Sequence, residues 1–128
     1  MVKLIQLKPL LSLENKAFFI YNKFMNIIIN NQKFNVDVAN NFKKRLLGLM
    51  GKKNITKGIY FPKTRSIHTF FMKENIDVIM IDKNNMVVYY QKNVKRNRII
   101  IKKKAYHTIE LPSNSLTNIN VGDKLIID

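Results

Sequence analysis

The sequence predicts a mainly β domain: a compact β-barrel or sandwich of about seven short strands with one short packed helix. Two observations carry this prediction. From Met25 onward, short β-prone runs recur at a spacing of about ten residues, separated by Asn-rich or Pro-containing connections. Several of these runs are apolar at successive positions, which suits strands covered on both faces better than an open sheet. At 128 residues and 46% hydrophobic content, the chain has the size and apolar fraction of one domain with a real core.

Residues 1–25 read as an N-terminal extension and residues 26–128 as the single domain. After Pro9, Leu10, Leu13, Ala17, Tyr21 and Phe24 recur at three and four residues, the pattern of an amphipathic helix. The same segment also fits an upstream extension ahead of a translation start at Met25. Lys8, Pro9, Glu14 and Lys16 break its apolar runs, so neither a membrane span nor a signal-peptide core is legible. A cytoplasmic protein is expected, with peripheral contact of the apolar stripe on a membrane as an alternative.

In the domain, NIIIN and KFNVDVA flank Asn31-Gln32 and read as a β-hairpin. Asn40 or Asn41 then caps a short helix with Phe42, Leu46, Leu49 and Met50 on one side and Gly51 just past its end. Gly48 inside that helix costs about 1 kcal/mol against alanine, which implies close packing or a bend. GIYF follows and ends at Pro62. SIHTFFM comes next, then IDVIMID and MVVYYQ around the turn Lys83-Asn84-Asn85. RIIIK, YHTIEL and KLIID complete the set.

Charge is the second strong feature. There are 23 Lys and Arg against 8 Asp and Glu, a net +15, and such a field favours polyanions. Nineteen of those cations are lysine, in a chain crowded with Asn and Ile, and an AT-rich coding bias produces the same composition. The runs KKR, KRNR and IKKKA form a polyanion site only if they converge in space. With no cysteine, disulfides, thiolate metal sites and a cysteine nucleophile are excluded. The two histidines lie far apart, the carboxylates form no calcium loop, and no glycine loop cradles phosphate. No metal or cofactor is expected.

Strand alternation in SIHTFFM places Ser66, His68, Phe70 and Met72 on one face, and Ile67, Thr69 and Phe71 on the other. His68 reads either as a packed histidine bonded to the backbone or as a pocket histidine serving as acid, base or ligand. In YHTIEL, His107 alternates with Ile109 and Leu111, while Glu110 shares a face with Tyr106 and Thr108. Taken alone, that strand reads with Glu110 exposed. Turned inward, its carboxylate requires a proton or a pair from Arg98 or Arg65. Asp77 is either a turn or edge residue or an inward carboxylate near His68. Ser66, His68 and Asp77 are discounted as a serine triad because nothing supplies an oxyanion hole.

Five stretches, VANNFKKRLLGLMG, SIHTFFM, IDVIMIDKNNMVV, IELP and VGDKLII, follow one another in an order that resembles the family of domain of unknown function 192. These are small uncharacterised proteins of bacteria and archaea, and a bacterial source is expected. The match runs from about Asn35 to the C-terminus, and its specificity lies in the collinearity of the five motifs. The matching positions are Arg45, Gly48, Leu49 and Met50, then His68, Thr69, Phe70 and Met72. Asp77, Asp82, Glu110, Leu111, Pro112, Gly122 and Asp123 complete them. The resemblance implies a compact β-barrel or sandwich with a short packed helix and implies no reaction. The chain departs from the family pattern in lacking a clear secretion signal, in Ser113-Asn114-Ser115 after ELP, in Arg96 where proline is common, and in having no cysteine before the histidine strand.

Within that resemblance, His68 reads better as a site. The leading expectation is a non-catalytic binding module associated with envelope or secretion machinery, taking a small-molecule or protein ligand. Its polar cleft combines His68, Asp77, Arg98 and Glu110, with Phe70 and Met72 as apolar walls. A small hydrolase using His68 with Glu110 or Asp77 is the alternative. A lysine-rich polyanion binder is the second alternative.

Overall fold

A computed structural model describes residues 24–41 and 48–128. In chain order its strands are β1 (Phe24–Ile29), β2 (Gln32–Val38), β3 (Gly58–Phe61), β4 (Ser66–His68), β5 (Ile76–Ile81), β6 (Val87–Val94), β7 (Ile99–Ile101), β8 (His107–Pro112) and β9 (Ile126–Ile127). The first two form the expected hairpin, but the turn is Asn30-Asn31, one residue earlier than the sequence suggests. Both residues have positive φ, 46° and 67°, as a two-residue hairpin turn matched to strand twist demands. Asparagine tolerates this region better than other non-glycine residues. The habit recurs: eight of the ten described non-glycine residues at positive φ are asparagines, and the two exceptions are Lys63 and Phe71.

Seven strands form one sheet in the order β6-β5-β8-β3-β2-β1-β9, with β2–β3 its parallel pair; β4 and β7 form a separate two-stranded ribbon. The sheet is curled into a half-barrel. Val87 N–H donates to the Asp123 carbonyl, Gly122 N–H to Val87 and Leu125 N–H to Asn85, each at 2.8 Å. These bonds join the start of β6 to the segment before β9, so the two sheet edges meet at one end.

Two cores result, one on each face of the sheet. Inside the curl, Ile27, Val36, Tyr60, Ile79, Ile109 and Leu111 pack beneath Leu116 and Leu125. On the other face, Ile59, Phe61, Ile76, Val78 and Met80 are covered by Ile67 of β4 and Ile100 of β7, with Leu49 and Met72. This double covering explains why β5 is buried at every position and is apolar at every position but Asp77. Gly58 opens β3 where space is shortest: an added Cβ would sit 2.4 Å from the Glu110 carbonyl oxygen and 2.7 Å from a Leu111 methyl.

The expected N-terminal helix and the positions Phe42 and Leu46 of the second helix lie outside the described residues. Gly48 is described, and its φ of 53° is left-handed. Residues 48–50 form a turn, so a right-handed helix does not run on through Met50 to Gly51 as the sequence suggests. Among the described residues, no helix is long and apolar enough to cross a membrane.

Candidate functional site

The strand carrying SIHTFFM ends at His68. Ile67 pairs with Ile100 and both enter the second core. Ser66 and His68 therefore face the opposite side of the ribbon, with their partners Ile101 and Ile99. The alternation does not continue to Met72 as expected, because Thr69 ties the chain to the 95–98 loop. Its N–H donates to the Arg98 carbonyl (2.9 Å), its hydroxyl donates to the Lys95 carbonyl (2.7 Å), and that hydroxyl accepts from the Arg98 N–H (2.8 Å). The chain then turns sharply. Phe71 adopts φ 64° with 76% of its surface exposed, and Met72 returns to the core.

His68 is 7% exposed. Its Nδ1 accepts the Phe70 N–H at 3.2 Å, and the two rings lie 4.7 Å apart, tilted by 32°. An Nδ1 acceptor leaves the proton of the neutral ring on Nε2. Burial lowers the His68 pKa from its ordinary value, so the ring is held neutral.

Beside this turn lies an open groove of about 650 Å³, walled by Met50, Gly51, Phe71 and Met72, with Lys73, Arg96 and Asn97 at its rim. The Gly51 N–H donates to the Phe71 carbonyl at 3.2 Å and so fixes the two walls against each other. Glu74 braces the loop behind, its carboxylate accepting from the N–H groups of Asn54 (2.7 Å) and Ile55 (3.0 Å). Those two bonds lower its pKa.

The four polar residues of the expected cleft point in different directions. Asp77 shares a face with Leu111 and the inner core. Its carboxylate accepts three backbone N–H groups, from Asn93 (2.9 Å), Asn114 (3.2 Å) and Leu116 (2.8 Å). It clamps a bulge of β6 to the loop after β8. Glu110 pairs with Ile59 and Val78, on the opposite face from Asp77, and is fully buried where the strand alone read as exposed. The reason is position: β8 lies between β3 and β5, in the doubly covered part of the sheet. Arg98 is exposed beside Thr69, its guanidinium donating to the Arg96 carbonyl at 3.3 Å. Of the apolar walls, Met72 lines the groove and Phe70 stacks on His68.

Sequence reasoning missed Phe71. Its signal was three large apolar residues in succession, Phe70-Phe71-Met72, more than one face of a strand end can bury. His107 was placed correctly in alternation but has a further role. It is 8% exposed, its Nδ1 accepts the Lys63 N–H at 3.0 Å, and the Tyr106 ring meets it edge-on at 4.6 Å. Burial, and then the nearby Lys63 charge, lowers its pKa to about 4.

Comparison with known proteins gives the same β architecture and a family. A UPF0127 protein of Thermococcus kodakarensis is 37% identical over 94 residues, covering 69% of this chain and 60% of that protein. Another, from Pyrococcus horikoshii, is 42% identical over 98 residues, covering 70% of this chain and 84% of its own length. The chain thus spans about three fifths of the first relative. Both relatives are archaeal, against the bacterial source expected. Among solved structures, a Sinorhizobium meliloti protein superposes with a TM-score of 0.69 at 18% identity, covering 81% of this chain and 92% of that one. A Novosphingobium aromaticivorans protein of unknown function gives 0.67 at 14%, covering 80% and 83%. At those identities the likeness is one of fold. The DUF192 family model, described as uncharacterized ACR, matches residues 25–127, and the chain belongs to that family.

Proposed function

We propose that the protein is a non-catalytic binding module that captures an acidic peptide segment bearing a bulky apolar side chain, in the groove beside His68. Phe71 is the observation that carries this reading. Holding a non-glycine residue in the left-handed region costs about 1–2 kcal/mol. An aromatic ring left 76% exposed recovers little of that through burial. Strain and exposure together favour a contact role for Phe71 over a folding role. Met50 and Met72 offer adaptable apolar walls, while Lys73 and Arg96 supply a cationic rim with no acidic side chain among the lining residues. That rim complements an acidic segment, and the net +15 hastens its approach.

The other residues of the expected cleft support the groove in this reading. His68, neutral and bonded to the Phe70 N–H, positions the Phe70-Phe71 turn. The Arg98 backbone, through Thr69, holds Arg96 and Asn97 opposite it. Asp77 and Glu110 belong to the frame beneath. A hydrolase would need a free carboxylate beside His68, and the Asp77 carboxylate is engaged by three N–H groups on the far side of the sheet. An envelope or secretion setting for the partner rests on the family resemblance alone.

The test is selection from a random peptide display library, followed by anisotropy titration of the enriched peptides. Acidic sequences with an aromatic or large aliphatic residue are expected. Phe71→Gly should weaken their binding about tenfold or more without lowering thermal stability, and Arg96→Glu should weaken it as well. Enrichment without acidic bias, or affinity unchanged in Phe71→Gly, would overturn the proposal.

A further inference from the structure

The second non-asparagine residue at positive φ, Lys63 at 47°, stands at the other end of the ribbon. The groove described above lies after β4 and before β5 and β7. Lys63 precedes β4, and near it the chain gathers the loops that follow β3, β5 and β7. Two backbone bonds and one bond from a backbone N–H to an imidazole tie these loops together. Lys102 N–H donates to the Arg65 carbonyl (3.0 Å), Tyr106 N–H to the Ile81 carbonyl (2.7 Å), and Lys63 N–H to His107 Nδ1 (3.0 Å). Between the loops is a concavity of about 450 Å³ lined by Arg65, Lys83, Lys103, Lys104 and Tyr106.

We propose that this concavity is a binding site for a small polyphosphate anion, either inorganic pyrophosphate or the phosphate tail of a nucleotide. Its chemistry is lopsided. The Lys63 and Lys83 ammonium groups both lie over the Tyr106 ring, 5.6 and 5.1 Å from its centroid. Each is attracted by the face of the ring, yet together they repel, and Lys103, Lys104 and Arg65 add to that repulsion. An anion of several negative charges held in the concavity relieves the repulsion among Arg65, Lys83, Lys103 and Lys104 that line it. Asp82 is the one carboxylate of the lining, and its Oδ1 is occupied by the N–H groups of Asn84 (2.8 Å) and Met86 (3.0 Å). Arg65 offers a planar fork and the lysines offer point charges, the usual pairing around phosphate oxygens.

Size and frame narrow the ligand further. A concavity of this volume admits a di- or triphosphate and is too small for a nucleic-acid duplex. Lysines scattered over a convex face would give only diffuse, salt-sensitive attraction. Here they are carried on short turns closed by backbone bonds, including Ala105 N–H to the Lys102 carbonyl at 3.1 Å. The site is separate from the groove that holds Phe71 and does not depend on its reading.

Calorimetric titration of the full chain with sodium pyrophosphate, tripolyphosphate and ATP tests the proposal. Saturable binding at one site per chain is expected. The double variant Lys83→Gln/Lys103→Gln should weaken it about tenfold or more, and the equally charged control Lys33→Gln/Lys92→Gln less than about twofold. Phe71→Gly should leave it unchanged. ATP binding more tightly than tripolyphosphate, with Tyr106→Ala removing the difference, identifies a nucleotide; equal affinity identifies the inorganic anion. Absence of saturable pyrophosphate binding would overturn the site. So would equal weakening in the pocket and control variants, or binding of an oligonucleotide that pyrophosphate does not displace.

Discussion

Lowering the pH from about 7.5 to about 5 should destabilise this protein through His107 in particular. The fold holds the imidazole neutral for two reasons: it is buried, and its Nδ1 must stay unprotonated to accept the Lys63 N–H. Its pKa falls from 6.5 to about 4. The sign follows from linkage. Between those values the unfolded chain binds the proton and the folded one does not, so the stabilisation is complete above pH 6.5 and is lost as the pH falls toward 4. The full difference corresponds to about 3 kcal/mol, and the part lost by pH 5 to about 2 kcal/mol. Urea unfolding at both pH values, for the wild type and for His107→Asn, measures it. The asparagine oxygen can replace Nδ1 as acceptor but does not titrate. Its lost ring contacts with Tyr60 and Tyr106 lower stability equally at both pH values. The wild type should therefore lose about 2 kcal/mol more than the variant between the two conditions. Equal losses would refute the reasoning.

Gly58→Ala should cost about 3 kcal/mol, because the added carbon meets a backbone oxygen that only a strand shift can move; chemical denaturation reads it, and a cost under about 1 kcal/mol would mean β3 shifts freely. Asp77→Ala should cost a similar amount, about 3 kcal/mol, by leaving three backbone N–H groups without their acceptor. Hydrogen exchange should quicken first at Asn93, Asn114 and Leu116. Phe71→Gly should raise stability by about 1 kcal/mol through relief of the left-handed strain, seen as a higher thermal midpoint.

The fold class was legible because strand runs and turn composition are local signals. IDVIMI reads as a strand apolar on both faces apart from Asp77, and both of its faces are covered, whereas HTIELP reads as alternating with Glu110 outward and is buried on both faces instead. Direction of side chains was legible only where a strand truly continued. In β8 the alternation of His107, Ile109 and Leu111 holds, whereas in SIHTFFM it ends at His68 because Thr69 is captured by a loop nearly thirty residues away. Such a long-range hydrogen bond leaves no trace in local periodicity. Asparagine was misjudged in the same way. Its abundance read as coding bias, yet eight of these residues hold left-handed turns. The basic runs likewise gave no sign of which would meet, since the chain folds Lys63, Lys83 and Lys103 together from three separate connections.

The strand order has a consequence for how the chain is made. β8 is the eighth strand to leave the ribosome, yet it occupies the middle of the sheet, between β5 and β3. Before it emerges, the strands available are the β1–β2 hairpin with β3 alongside, the β5–β6 hairpin and the β4–β7 ribbon, with no strand to pair β3 to β5. β3 and β5 each present a bare strand edge during synthesis, the kind of edge that invites pairing with another chain. The arrival of residues 107–112 seals both edges at once and closes both cores over Glu110 and Ile109. The central pairing of the sheet thus waits for residues 107–112, and the inner core for Leu116 and Leu125 after them.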